Sequence, residues 1–119
     1  RFDGPNQFVR RVATGPVALG DHAAAAGDVL YLGIGAANHD PAKWGPTAST
    51  LDVERADAGQ HAQFGGGIHH CLGAHLARMQ AEVALTALVT RLPGLRRAGP
   101  TTWSGRMTLR SVSAVPLRW

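Results

Sequence analysis

Cysteine is almost missing from this chain of 119 residues: Cys71 is the only one. No internal disulfide can form, which excludes the small disulfide-stapled secreted scaffolds. Long apolar runs are missing too. The longest stretch of apolar residues and glycine, Val29 to Ala37, is nine residues, whereas a bilayer-spanning helix takes about 20, so no membrane segment is assigned. No Lys/Arg-flanked apolar segment opens the chain, and the expected location is cytoplasmic. Aromatic residues make up only 6%. Acidic residues are the minority charge, 8 against 12 Lys+Arg, for a formal charge of +4. Eleven of those cations are arginines, but the only adjacent pairs are Arg10-Arg11 and Arg96-Arg97. A nucleic-acid face wants clustered cations interleaved with aromatics, so no nucleic-acid partner is assigned; a basic docking patch for an acidic protein stays open. What is present is globular in kind, 45% hydrophobic and 17% charged, and the length suits one domain at most. The chain opens on Arg1, in what reads as the middle of an element, and is expected to be a fragment.

Gln7 to Ala13 lie between Pro5 and Gly15-Pro16 and read as a short strand, with Val17 to Leu19 as its candidate partner. After a Gly20-Asp21 turn, Val29 to Ile34 is the clearest strand, rich in branched and aromatic residues. Asp40-Pro41 predicts a helix start, with the aspartate as cap and the proline at the first helical position. Gly45-Pro46 must stop that helix within a few residues. Thr47 to Gly67 carry neither helical nor strand periodicity, and a stretch of that length without regular structure is usually functional or disordered. Leu72, Leu76, Met79, Val83 and Ala87 then recur at helical spacing, with Ala84 and Leu88 widening the stripe. They predict a helix over 72–92 that ends at Pro93-Gly94. On it Arg78 and Glu82 stand four apart, close enough to pair. The tail carries two candidate strands, Met107 to Arg110 and Val112 to Leu117, with Pro116 favouring an edge.

The residues with chemistry sit just ahead of that helix, in Phe64-Gly65-Gly66-Gly67-Ile68-His69-His70-Cys71-Leu72-Gly73-Ala74-His75-Leu76-Ala77-Arg78. A cysteine at a helix N-terminus meets free backbone N–H groups and the positive end of the helix dipole, which favour the thiolate. The glycines before it permit turns closed to residues with a Cβ, and Gly73 clears space after it. A thiolate stripped of neighbouring side chains suits a large metal cofactor. Duller readings exist for each part. A lone cysteine is most often a buried small hydrophobe, and a Gly-Gly-Gly run without Gly-Lys-Ser/Thr is only a loop. Zinc held by Cys71, His70 and His75 is a further alternative, although structural zinc sites favour paired cysteines.

Taken whole, the string resembles the haem-binding signature of the cytochrome P-450 family, Phe-Gly-x-Gly-x-His-x-Cys-Leu-Gly-x-x-Leu-Ala-Arg. Phe64, Gly65, Gly67, His69, Cys71, Leu72, Gly73, Leu76, Ala77 and Arg78 match it in register. The resemblance implies heme b (iron protoporphyrin IX) as cofactor and Cys71 as the axial metal ligand. It makes Phe64, Gly65, Gly67, His69, Cys71, Leu72, Gly73 and Ala77 cofactor-binding, with Phe64 near the sulfur and His69 on a propionate. Gly4 to Thr14 resemble the strand after the family's Glu-x-x-Arg helix, which puts Arg11 where members bind a second propionate. Arg1 then stands as the arginine of Glu-x-x-Arg, its glutamate lying before the first residue. Ala36-Ala37-Asn38-His39-Asp40-Pro41 is similar to the entry of the family's meander, and Leu51-Asp52-Val53-Glu54-Arg55 to its end, so Arg55 falls to the family's Glu-Arg-Arg cluster. The pattern departs from the family at His39, at Ala24-Ala25-Ala26-Gly27 and over Trp44 to Thr50.

The fold so implied is mainly α with small β-sheets, and incomplete: the C-terminal part of the cytochrome P-450 fold. Its divisions are a β-sheet segment over 1–35, a meander over 36–63, a cysteine loop over 64–71, a proximal helix over 72–92 and C-terminal strands over 93–119. The implied function is a monooxygenase that inserts one oxygen atom of O2 into a small organic substrate, with electrons from a ferredoxin or reductase. The oxygen-activating helix falls before Arg1, so no catalytic residue is assigned within the chain and this stretch alone is expected to be inactive. A truncated, non-catalytic haem-binding remnant is the alternative reading, and a small zinc-binding domain a further one.

Overall fold

The computed structural model describes residues 1–119. It divides into two compact units, residues 1–63 with 107–109 and residues 64–106 with 110–119.

In the first unit, β1 (Phe8–Val12) pairs antiparallel with β4 (Val29–Gly33), Phe8 opposite Gly33 and Val12 opposite Val29. The pairing runs on past Val12, because the Ala13 N–H donates to the Asp28 carbonyl at 2.9 Å and the Gly27 N–H to the Ala13 carbonyl at 2.8 Å. Val17–Leu19 forms β2 but does not partner β1: it pairs with β3 (His22–Ala24). The Gly20-Asp21 turn, with Gly20 at φ 61°, closes β2 on its sequence neighbour before it can reach β1. Ile34 leaves the strand and opens α1 (Ile34–Ala37).

Helix α2 (Pro41–Trp44) starts where the Asp40-Pro41 pair predicts. The Asp40 carboxylate accepts from the Ala42 N–H at 2.9 Å, and Gly45 at φ 72° ends the helix after one turn. Trp44 is buried and its indole N–H donates to the Ala37 carbonyl at 2.8 Å, so α1 and α2 are locked together. Arg1 lies over the Trp44 ring at 5.0 Å and donates to the carbonyls of Asn38, Ala48 (2.8 Å) and Thr50 (3.2 Å). The long aperiodic stretch is thus held by side chains reaching backbone carbonyls. Buried Asn38 adds to this by accepting from the Ala62 N–H at 2.8 Å. Gln63 brackets Asn6 with both amide atoms, at 3.2 and 3.3 Å. Only short 3-10 turns, at Ala58–Gln60 and Ala62–Phe64, interrupt the coil.

The second unit is built on α3 (Ala74–Arg91), 18 residues long. It begins two residues later than the pattern predicts, because Gly73 serves as N-cap and Cys71-Leu72-Gly73 form a turn ahead of it. Leu76, Met79, Val83 and Ala87 share one stripe, while Leu85, Leu88 and Val89 with Ala77, Ala81 and Ala84 share the opposite one. His75, Glu82 and Thr86 mark one polar seam between them, and Gln80 and Arg91 the other. A helix apolar on two sides is one made to be covered on both. Beyond it come β5 (Arg96–Arg97), β6 (Thr102–Trp103), β7 (Val112–Ala114) and β8 (Leu117–Arg118), paired β5 with β8 and β6 with β7.

The tail differs from the expected strands. Met107 to Arg110 makes a single bridge, Leu109 with Asn6, and Pro116 splits the last candidate strand into β7 and β8. The ring removes a donor at that point, but the Pro116 carbonyl still accepts from the Ala98 N–H at 2.8 Å. All four sheets have two strands. The small sheets are as expected; a mainly helical composition is not seen within these residues, where α3 is the only long helix.

Candidate functional site

The loop ahead of α3 is closed by one backbone bond: the Cys71 N–H donates to the Phe64 carbonyl at 2.7 Å. Inside that closure the chain turns tightly. Gly65 and Gly67 adopt φ of 70° and 57°, in the left-handed region that side chains disfavour. A Cβ at Gly65 would also lie 3.0 Å from the His69 carbonyl oxygen. A 3-10 turn over Gly67–His69 carries the N–H groups of His69 and His70 onto the carbonyls of Gly66 (3.2 Å) and Gly67 (3.1 Å).

Cys71 is a free, exposed thiol, not a buried hydrophobe. It stands ahead of the helix, with its carbonyl accepting from the Ala74 N–H at 3.2 Å. The Ala77 N–H bonds to the Gly73 carbonyl at 2.9 Å and completes the first turn. The Leu72 and Gly73 N–H groups take no backbone acceptor, the normal state of donors at a helix start. Sγ lies 3.9 Å from the point where a Gly73 Cβ would stand, so the missing side chain leaves that flank of the sulfur open. Ile68 and Leu72 are 97% and 100% exposed, an apolar pair displayed on either side of the cysteine in sequence.

Phe64 and Arg78 meet: the guanidinium sits over the ring, 4.7 Å from its centroid. The expected Arg78–Glu82 pair does not form: the Arg78 guanidinium is spent on the Phe64 ring. The zinc alternative also fails. Because Cys71 precedes the helix, it does not share a helical face with His75, and nowhere do three His, Cys, Asp or Glu side chains converge on a metal-sized site.

Of the residues singled out from the sequence, Phe64, Gly65, Gly67, His69, Cys71, Leu72, Gly73 and Ala77 all fall in this loop and first turn. Arg11 belongs to the first unit, on β1 opposite Leu30, where its guanidinium donates to the Arg10 carbonyl at 2.8 Å. Sequence reading missed the stacking of Arg78 on Phe64, although both residues were in the matched string. It also missed Trp44 and Asn38 as buried anchors, for which the only signal is a large aromatic and an amide inside an otherwise aperiodic stretch.

The family model for Cytochrome P450 matches residues 1–93. The chain belongs to the cytochrome P450 family. It is 46% identical over 97 residues to the mycinamicin IV hydroxylase/epoxidase of Micromonospora griseorubida, covering 79% of this chain and 24% of that protein. It is 41% identical over 119 residues to cytochrome P450 130 of Mycobacterium tuberculosis, covering 99% of this chain and 29% of that one. Among solved structures, cytochrome P450 CREJ superposes with a TM-score of 0.93 at 32% identity, over 99% of this chain and 30% of that chain. The chain thus spans less than a third of the relatives it matches.

Cytochrome P450 membership implies a haem cofactor, and the loop fits one. A soft thiolate donor is exposed, glycines keep side chains away from it, helix-start N–H groups lie beside it, and Ile68 and Leu72 offer uncovered apolar surface. No helix is long and apolar enough to cross a membrane.

Proposed function

We infer that this chain is the haem-binding C-terminal portion of a cytochrome P450 monooxygenase, with Cys71 as the axial thiolate ligand of heme b. The observation that carries the reading is the Cys71 loop: a free, exposed sulfur held by the Cys71–Phe64 backbone bond, ahead of an 18-residue helix, with its flank opened by Gly73. Held by Cys71, a haem would supply the oxygen chemistry by which one atom of O2 goes to an organic substrate, a chemistry that a thiolate ligand favours.

The residues of the chain have narrower tasks. Cys71 provides the sulfur. Donors from the Leu72 and Gly73 backbone temper its charge, which sets how strongly it pushes electron density. Gly65 and Gly67 let the loop pass close to a flat ligand, and Ile68 and Leu72 exclude water beside it. His69 and, from the first unit, Arg11 are the proposed propionate partners. Arg1 and Arg55 grip the 38–57 stretch that leads to the loop, in line with a structural Glu-Arg-Arg cluster whose glutamate lies upstream. The elements take the family's divisions: sheet segment 1–35, meander 36–63, cysteine loop 64–71, proximal helix from Ala74, and C-terminal strands.

Electrons come from a ferredoxin or reductase. The second unit carries seven arginines and one glutamate, a field that suits an acidic donor. The substrate is a small organic molecule, and the setting is cytoplasmic. No residue of this stretch moves protons to oxygen, so it is inactive by itself and the chemistry belongs to the intact protein.

The test is Cys71→His in the intact protein. The variant should retain part of its haem and lose the thiolate-type optical spectrum. An unchanged spectrum would refute the ligand assignment.

A further inference from the structure

Arg78 is a cation without an anion. Glu82 stands one helical turn on, the spacing at which an arginine and a glutamate pair, yet the guanidinium instead lies over the Phe64 ring at 4.7 Å. Phe64 is in turn tied through its carbonyl to the Cys71 N–H at 2.7 Å. Two bonds therefore meet on one residue, a backbone bond from the cysteine and a cation–π contact from the helix. They link the first two turns of α3 to the start of the loop that carries the sulfur.

We propose that Arg78 is a positioning residue: its guanidinium fixes the Phe64 ring against α3, and through Phe64 it sets the geometry and electrostatics of the Cys71 thiolate. This rests on the reading of Cys71 as haem ligand. Three of the six residues inside the closure are glycines, two of them in left-handed conformations, and Ile68 is almost wholly exposed. A planar guanidinium can lie flat on a ring face, whereas a lysine ammonium is a more strongly hydrated point charge. The clamp is therefore specific for arginine, with lysine a partial substitute. Loss of Arg78 also removes a positive charge from the loop's neighbourhood, which favours the more positive, ferric state.

The experiment uses the intact haem-loaded protein and compares wild type with Arg78→Gln, Arg78→Lys, Phe64→Leu and the Arg78→Gln/Phe64→Leu double variant. Optical spectra and the ferric/ferrous midpoint potential are recorded for each. Arg78→Gln should shift the equilibrium toward ferric by up to tenfold, 59 mV for one electron, and broaden the thiolate-type spectrum. Arg78→Lys should recover part of the shift. In the Phe64→Leu background, Arg78→Gln should move the potential markedly less than in wild type, because the ring that transmits its effect is gone. If Arg78→Gln loses the fold, Arg78→Lys and Phe64→Leu still decide, since both must shift the potential for the clamp to exist. Equal Arg78→Gln shifts in both backgrounds, or no shift in any variant, overturn the role of Arg78 while leaving the ligand reading intact. A wild-type protein whose haem lacks the thiolate signature overturns both.

Discussion

Gly65 and Gly66 stand side by side in the cysteine loop, yet only one needs to be glycine for conformational reasons. At Gly65 the backbone is left-handed and an added Cβ would press on the His69 carbonyl oxygen. Gly66 is extended, at φ −158°, with nothing within 4 Å of its absent Cβ. Gly65→Ala should therefore cost about 1–2 kcal/mol from the left-handed conformation alone, and Gly66→Ala should fall within ~0.5 kcal/mol of wild type. Thermal or denaturant unfolding of the intact protein, with the haem content of each variant, measures the contrast. A comparable argument applies to Asn38, buried in the first unit with its carbonyl oxygen on the Ala62 N–H. Asn38→Ala leaves that donor without its partner and should destabilise by about 1–3 kcal/mol, read as a lower denaturant midpoint. The motif residues were legible in the sequence because their identities are unusual together. The Asn38 and Trp44 anchors were not, because a single buried amide or indole leaves no period to read.

At the scale of elements, α2 was foreseen from two residues. Asp40 caps it and Pro41 opens it, so Asp40→Ala should cost about 0.5–2 kcal/mol, again checked by unfolding. Helix α3 was foreseen in existence and less well in its start, since Gly73 takes the cap and leaves Cys71 in the turn before it. Its second apolar stripe differs from the sequence reading, which adds Ala84 and Leu88 to the stripe of Leu72, Leu76, Met79 and Val83, whereas at 100° per residue both fall on the other side with Leu85 and Val89. Two stripes predict cover on two sides in the intact protein. Val83→Lys and Leu85→Lys, one per stripe, should each destabilise it by more than ~2 kcal/mol, whereas Gln80→Lys on a polar seam should stay within ~0.5 kcal/mol. If only Val83→Lys is costly, α3 is covered on one side. Strand pairing was the least legible feature. β2 goes to β3 because a tight turn joins them, and the short tail strands pair where Pro116 and a bulge between Thr102 and Trp103 allow. Those are matters of turn geometry that composition does not carry.

At the scale of the whole molecule, the surface is the telling quantity. The chain's buried apolar side chains are few and mostly alanine, while Leu76, Met79, Val83, Leu85 and Val89 remain exposed along α3. Patches of this kind mark surfaces meant for a neighbour. Residues 1–119 produced alone should melt without a sharp cooperative transition by circular dichroism, and hemin should raise their helical signal; a sharp melt without hemin would show that this stretch suffices for its own core. The family and the loop ahead of α3 were legible in one string of residues, but the remainder of the fold depends on packing that no local pattern encodes.

The most direct test of the central claim, that the Cys71 sulfur binds haem iron, is iron-edge X-ray absorption of the intact haem-loaded protein and its Cys71→His variant. The account predicts one sulfur scatterer in the first shell of iron in the wild type and none in the variant. A first shell without sulfur in the wild type, or a sulfur that survives the substitution, would contradict it.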